Sequence, residues 1–173
     1  KIVQKIKALI IVVIAVIVTV PALADEKIAV LDIQRSVFAS SYAQNEGKSL
    51  EESADFVSLM AKLEGAASDF QALAKELEEK RLTWSAEQIA EHQKKMTYKK
   101  EDAELANKKV QTERQQLAQR IMQKVQPNLD EAVKELIEEE GITILLRSEA
   151  TLFRGPDNDI TAKVADRLNK KMP

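Results

Sequence analysis

Between about Leu50 and Glu140, apolar and small side chains recur at steps of three and four, and no other feature of the chain restricts its fold so strongly. Phe56, Leu59, Leu63, Ala66, Phe70, Leu73 and Leu77 make one such stripe without a gap. Alternating threes and fours keep one seam of a helix facing a partner helix. The next two steps, Lys80 and Trp84, end the apolar stripe, and a turn is predicted from Arg81 onward. Ser85 with Gln88 three residues later has the form of a capping box, in which the serine oxygen accepts from an orphan amide and the glutamine reaches back. A second helix therefore begins there. Its seam runs through Ile89, Met96, Ala103, Ala106, Val110, Leu117 and Ile121, with polar interruptions at His92, Lys99 and Glu113. The pair of stripes predicts a long antiparallel helical hairpin whose second arm is the wetter one.

Helix rise sets the reach of each arm. At about 1.5 Å per residue the ascending arm spans roughly 45 Å, and the descending one roughly 80 Å if it continues to Glu140. The last third of the longer helix must then pass the base of the hairpin and pack on whatever body the other residues form. Pro127 lies in that third and predicts a kink or restart near Gln126. The expected division is an arm over 50–125 and a body made of 25–49 and 126–173.

The body needs strands. Lys27–Ile33 is short, branched and apolar on both faces. Ile142–Arg147 and Ala150–Arg154 are its expected partners, the first preceded by a helix stop at Gly141 and the second followed by turn residues at Gly155–Asn158. A sheet of three short strands is thin, so its second face is expected to be buried against other copies of the chain. A short helix is expected over Ser36–Ala43, leaving through Gln44–Gly47. A last helix opens after Asp159, with Ile160, Val164 and Leu168 on one face. The fold class is thus mainly α, a coiled-coil hairpin on a small β body.

Residues 1–24 have a cationic front, an uncharged run from Ala8 to Val20 and the small residues of an A-x-A site, which predicts an export signal cleaved after Ala24. A retained membrane anchor would need about 20 apolar residues, and Pro21 interrupts the run. Losing Lys1, Lys5 and Lys7 leaves 23 of the 26 basic residues against 28 acidic ones, a formal charge of −5. With 4% aromatic and 31% charged residues the composition favours helices over a thick core. The chain has no cysteine, so its stability rests on packing and association.

Taken in order, the leader, Lys27–Arg35, the charged hairpin turning near Leu82–Ser85, Glu140–Leu146 and the Asp159-Ile160-Thr161 opening of the last helix resemble the Skp (OmpH-like) periplasmic chaperones. The resemblance covers everything after the leader. It implies a homotrimer in which short strands of three subunits build a central barrel, from which the hairpins hang and enclose a cavity. The residues so assigned to the trimer body are Ile28, Val30, Leu31, Ile33, Ile142, Ile144, Leu145, Leu146, Leu152 and Phe153. It also implies a periplasmic holdase for unfolded outer-membrane β-barrel proteins that works without ATP. With four glycines and no phosphate-binding Gly-x-x-x-x-Gly-Lys loop, the chain has no visible nucleotide apparatus. No cofactor, metal, catalytic residue or nucleic-acid partner is expected.

Off-seam Val57, Met60 and Met96 are candidates for mobile contacts with clients, or else pad the coiled coil. Trp84 either meets client or membrane interface, or staples the seam at the tip. The better-known relatives are strongly basic and this chain is not. Lys94, Lys95, Lys99 and Lys100 are the candidates for anionic membrane or lipopolysaccharide, set against a plain solvated face with Glu91, Glu101, Asp102 and Glu104. His92 reads as structural. The alternative to a holdase is a coiled-coil adaptor or spacer of the cell envelope with one defined partner.

Overall fold

The computed structural model describes residues 26–173, so the predicted leader lies outside the described residues. The chain opens with strand β1 (Lys27–Leu31) and two short helices, α1 (Ile33–Phe38) and α2 (Ser41–Glu52). Helix α3 (Ala54–Lys80) rises to a tight turn, α4 (Ala86–Glu140) returns, and strand β2 (Ile142–Arg147) follows. Single 3-10 turns at Ser148–Ala150 and Pro156–Asn158 lead to the last helix, α5 (Thr161–Lys171).

The hairpin follows the heptad reading closely. Every position of the first seam, from Phe56 to Leu77, is buried or half-buried, and so is every position of the second, including His92, Lys99 and Glu113. The capping box is complete: Gln88 N–H donates to Ser85 Oγ, and Ser85 N–H donates to Gln88 Oε1 at 2.8 Å. With 27 residues α3 is about 40 Å long, and α4 with 55 is about 80 Å, so α4 overruns its partner at the base. That overrun packs against α5, α1 and β2. Gly141 closes α4 in the left-handed conformation (φ 63°), where a side chain would be strained.

Several expectations fail, each for a local reason. The helix does not restart at Pro127: α4 runs through it unbroken, because tertiary packing of Val125, Leu129 and Ala132 holds the turns on either side. The arm starts four residues later than Leu50, since Ser53 is an N-cap that accepts from Phe56 N–H and donates to Leu50 C=O. Ser40 does the same for α2, so the helix expected over Ser36–Ala43 is two helices, and Gln44–Gly47 continues α2 rather than ending it. β1 stops at Leu31; Asp32 turns the chain by capping α1, which leaves Ile33 as a helical residue.

The sheet has two strands among the described residues, not three. β1 and β2 are parallel, pairing Lys27 with Ile142 and, after a bulge, Ile28 with Ile144 through Leu31 with Arg147. Thr151–Arg154 is irregular, and what lies beside β1 on its other edge is the loop before α5, where Ile160 N–H donates to Val30 C=O. The core sits where these pieces converge on the lower part of α4: Ala29, Leu31 and Val37 meet Ile121, Val125 and Leu129, and Ile160, Val164 and Leu168 close it from α5. The Asp159-Ile160-Thr161 opening is a joint. Asp159 accepts from Thr161 N–H, and Thr161 Oγ1 accepts from Asp32 N–H at 3.0 Å, tying the two ends of the body together.

Candidate functional site

The arm presents a thin seam with apolar residues beside it. Within α3 only Phe56 and Ala66 are fully buried, so most of the seam stays partly wet. Val57 is exposed, Met60 and Met96 are half-buried, and Tyr98 and Leu105 add two exposed apolar side chains on α4 that the seam count passes over. Phe56 carries the Arg114 guanidinium over its ring at 5.6 Å, which fixes the foot of the hairpin.

The tip is a built cluster. Trp84 lies half-buried with its ring centroid 4.7 Å from that of His92, and the Lys80 ammonium sits 5.8 Å from the indole. His92 is buried and its Nε2 lies 2.7 Å from the Leu73 carbonyl. A carbonyl only accepts, so Nε2 carries the proton and the ring donates across the hairpin. Glu76 lies between these groups, bonded to Lys80 at 2.8 Å, and Lys80 holds its carboxyl below the usual carboxylate range. Leu82 is left exposed at the extreme end.

The four lysines proposed for anionic lipid are not brought together as a free cationic patch. Lys95 pairs with Glu91 at 3.0 Å and Lys100 with Glu104 at 3.7 Å. Lys99 bridges to Asp69 on the facing helix at 2.8 Å, a bond that raises its pKa, and Lys94 lies over the Tyr98 ring. Among the described residues there is no group of three or more metal-ligating side chains, and no helix is long and apolar enough to cross a membrane.

The body residues fall into two sets. Val30, Leu31 and Ile142 are buried within the chain, while Ile33 and Leu145 are half-buried. Ile28, Ile144, Leu146, Leu152 and Phe153 are exposed, the last two almost completely, at 109% and 88%. An open groove of about 500 Å³ runs between β2 and α4, lined by Leu31, Met122, Leu129, Val133, Ile137 and Leu145.

Ion pairs clamp α5 to the base of α4, and the sequence shows them only as a crowd of acidic residues. Arg167 donates to Glu135 at 2.7 Å and also pairs with Glu139, and Lys171 reaches Glu131 at 3.0 Å and Glu135 at 2.7 Å. Glu140 accepts from Lys163 at 2.6 Å and from Lys27 at 2.7 Å. These bonds lower the pKa of Glu135 and Glu140 and raise those of Arg167 and Lys171. The legible signal was the spacing, Glu131, Glu135 and Glu139 at steps of four facing Arg167 and Lys171 at a step of four.

Comparison with known proteins agrees with this architecture. A protein of Pseudomonas aeruginosa described as Skp-like is 26% identical over 156 residues, covering 90% of this chain and 92% of its own length. The crystal structure of an OmpH-like protein from Caulobacter crescentus CB15 superposes with a TM-score of 0.50 at 21% identity over 88% of each chain, a likeness of fold. The family model for outer membrane protein (OmpH-like) matches residues 27–168, from the first residue of β1 to the last buried leucine of α5. The chain belongs to the OmpH-like outer membrane protein family.

Proposed function

We propose that this protein is a periplasmic, ATP-independent holdase for unfolded outer-membrane β-barrel proteins, acting as a homotrimer whose arms enclose the client. The observation that carries the reading is the contrast between arm and body. The arm is long, thinly seamed and flanked by exposed apolar residues, while the body is small and leaves Ile28, Ile144, Leu146, Leu152 and Phe153 uncovered. A body with so much open apolar surface is completed by association, and the arms of the associated copies then stand around a shared space. Membership of the OmpH-like family and the Skp-like relative support the same reading.

The proposed mechanism is passive. An unfolded outer-membrane protein alternates apolar and polar residues and aggregates through exposed strand edges. Val57, Met60, Met96 and Trp84 supply weak contacts that a client can exchange, and methionine adapts to varied shapes. Anionic lipid as a further partner draws little support here, since Lys95, Lys99 and Lys100 already lie against carboxylates.

The test is the mass of the chain from Asp25 to Pro173, alone and with a urea-unfolded outer-membrane barrel protein diluted into buffer. A trimer that keeps several unrelated clients soluble in discrete complexes supports the proposal. A monomer, or an assembly that leaves clients to aggregate and binds one folded partner at fixed ratio, replaces it with the envelope adaptor.

A further inference from the structure

We infer that two adjoining grooves where the arm meets the body seat one extended segment of an unfolded client. Alternate apolar side chains of the segment enter the grooves, and its unpaired backbone lies against Arg114 and Glu51 between them. The inference rests on the holdase reading above and gives it a defined site.

The lower groove, of about 220 Å³, lies between α1, α2 and α4. Leu117 and Ile121 are buried beneath it, Leu50 is half-buried, and Phe38, 41% exposed, stands at its edge. Pockets for free small molecules begin at about 300 Å³, so this one suits a single side chain of a longer partner. The upper groove is lined by Phe56, Val57 and Met60 of α3. Glu51 and Arg114 line both, so the grooves meet at these two side chains. Ala118, in the lower groove, lies four residues of helix, or about 6 Å, below Arg114. Alternate residues of a strand are about 6.7 Å apart and point to one side, so the two repeats nearly match.

The divide has the chemistry that an unpaired strand lacks. Both side chains are exposed and neither makes an ion pair among the described residues, whereas the neighbouring Glu52 is taken by Lys48. Arg114 lies over the Phe56 ring, which holds the guanidinium at the divide. A strand without neighbours exposes a row of C=O and N–H groups. A guanidinium donates to the first and a carboxylate accepts from the second. The aggregation-prone edge is thereby occupied, while the lipid-facing side chains, which alternate along such a strand, leave water.

Gly47 keeps the lower groove open. It lies in the middle of α2, where glycine weakens a helix relative to alanine, and its φ is not positive. A Cβ there would meet nothing within 4 Å. Neither backbone geometry nor packing calls for glycine at this position; its effect is a gap in the wall of the groove.

That gap supplies the test. Gly47→Leu fills the groove without displacing a neighbour, and Asn45→Leu adds the same side chain to an exposed position of α2 outside it. Both are expected to keep the circular dichroism of the wild type. Release of a urea-unfolded outer-membrane barrel protein should be about 10-fold faster from Gly47→Leu and unchanged from Asn45→Leu. Because the chain has no cysteine, Gly47→Cys carries a single benzophenone cross-linker, whose products with client should map to lipid-facing strand segments. Three results overturn this site while the holdase reading stands: wild-type release from Gly47→Leu, equal acceleration by Asn45→Leu, or cross-links spread evenly over client loops and strands. A cross-link to another copy in the absence of client overturns it as well, by giving the groove to the assembly. A wild-type chain that holds no unfolded client overturns both.

Discussion

The indole of Trp84 and the imidazole of His92 lie 4.7 Å apart at 54°, and the imidazole donates onward to the Leu73 carbonyl on the opposite helix. Both side chains occur at steps of the seam count, where a coiled coil would place apolar residues. The interruption is therefore a lock: a buried donor across the hairpin, lidded by the only tryptophan in the chain. His92→Ala removes the cross-hairpin bond, worth about 1 kcal/mol, and uncovers one face of the indole. Tryptophan emission should shift to the red and trypsin should cut faster at Lys80 or Arg81, with little change in global unfolding. Unchanged emission and cleavage would show that Trp84 holds its place without His92.

The next prediction concerns where stability resides. Leu129 is buried in the body core, whereas Leu73 lies in the half-wet upper seam. Leu129→Ala should cost about 2–5 kcal/mol, the range for a core leucine. Leu73→Ala should cost distinctly less and loosen the arm alone. Chemical denaturation and amide exchange separate the two, and equal losses would contradict a firm body carrying a soft arm.

Ser85→Ala takes away one half of the capping box and leaves an orphan amide at the start of α4. The expected cost is about 1 kcal/mol, local to the tip. Faster exchange of the amides of residues 86–89, with the body unaffected, is the signature to look for.

Acid should release α5. The hydrogen bonds from Lys171 and Arg167 to Glu135, and from Lys163 and Lys27 to Glu140, lower both carboxylate pKa values in the folded chain from about 4.5. A carboxylate with a depressed folded pKa contributes its stabilisation fully above the ordinary value and loses it as pH falls below about 4.5 toward the folded value. Thermal stability should thus be level near neutrality and fall below that point. In Glu135→Gln and Glu140→Gln together, stability should be lower at pH 7 and its acid dependence flatter. A parallel fall in variant and wild type would assign acid sensitivity to other carboxylates.

Val57 is 52% exposed and packs on little, so Val57→Ser should leave unfolding within about 0.5 kcal/mol of wild type. If it touches clients, holding of an unfolded barrel protein should weaken measurably. Client release rates decide this, and an unaltered rate with an unaltered fold would reduce Val57 to padding.

The hairpin was legible in the sequence because heptad periodicity reports on helix packing directly, and it survived even at His92, Lys99 and Glu113, where polar residues occupy seam positions. The breaks at Ser40 and Ser53 were harder to see. A serine caps a helix only if the chain turns there, and Gln44–Gly47, with its glycine, looked the better exit although it lies inside α2. Pro127 does not restart the helix, since its missing donor is tolerated where the neighbouring turns are held by the core. The third strand failed because local bonds bend Ala150–Arg154 away from an extended path: Ala150 closes a 3-10 turn, Thr151 Oγ1 donates to Ser148 C=O, and Arg154 is tied to Ser148 and Asp159. Which exposed residues meet a partner is a property of two chains, and one chain's periodicity carries no record of it.

The parallel pairing of β1 with β2 joins residues that are far apart in the chain: Thr143 Oγ1 donates to the Lys27 carbonyl across 116 residues, and Lys27 also bonds Glu140. Other contacts of the body span as much or more, Asp32 to Thr161 among them, and the loop they close contains the whole hairpin. A chain that emerges from its N-terminus delivers β1 first and leaves it unpaired while the arm, built from neighbouring contacts, can already zip. The body closes last, after Gly141 has ended α4 and β2 has arrived. A chain cut short anywhere before Ile142 therefore has an arm but no strand for β1 to pair with, so the order of the body depends on residues that lie beyond the hairpin.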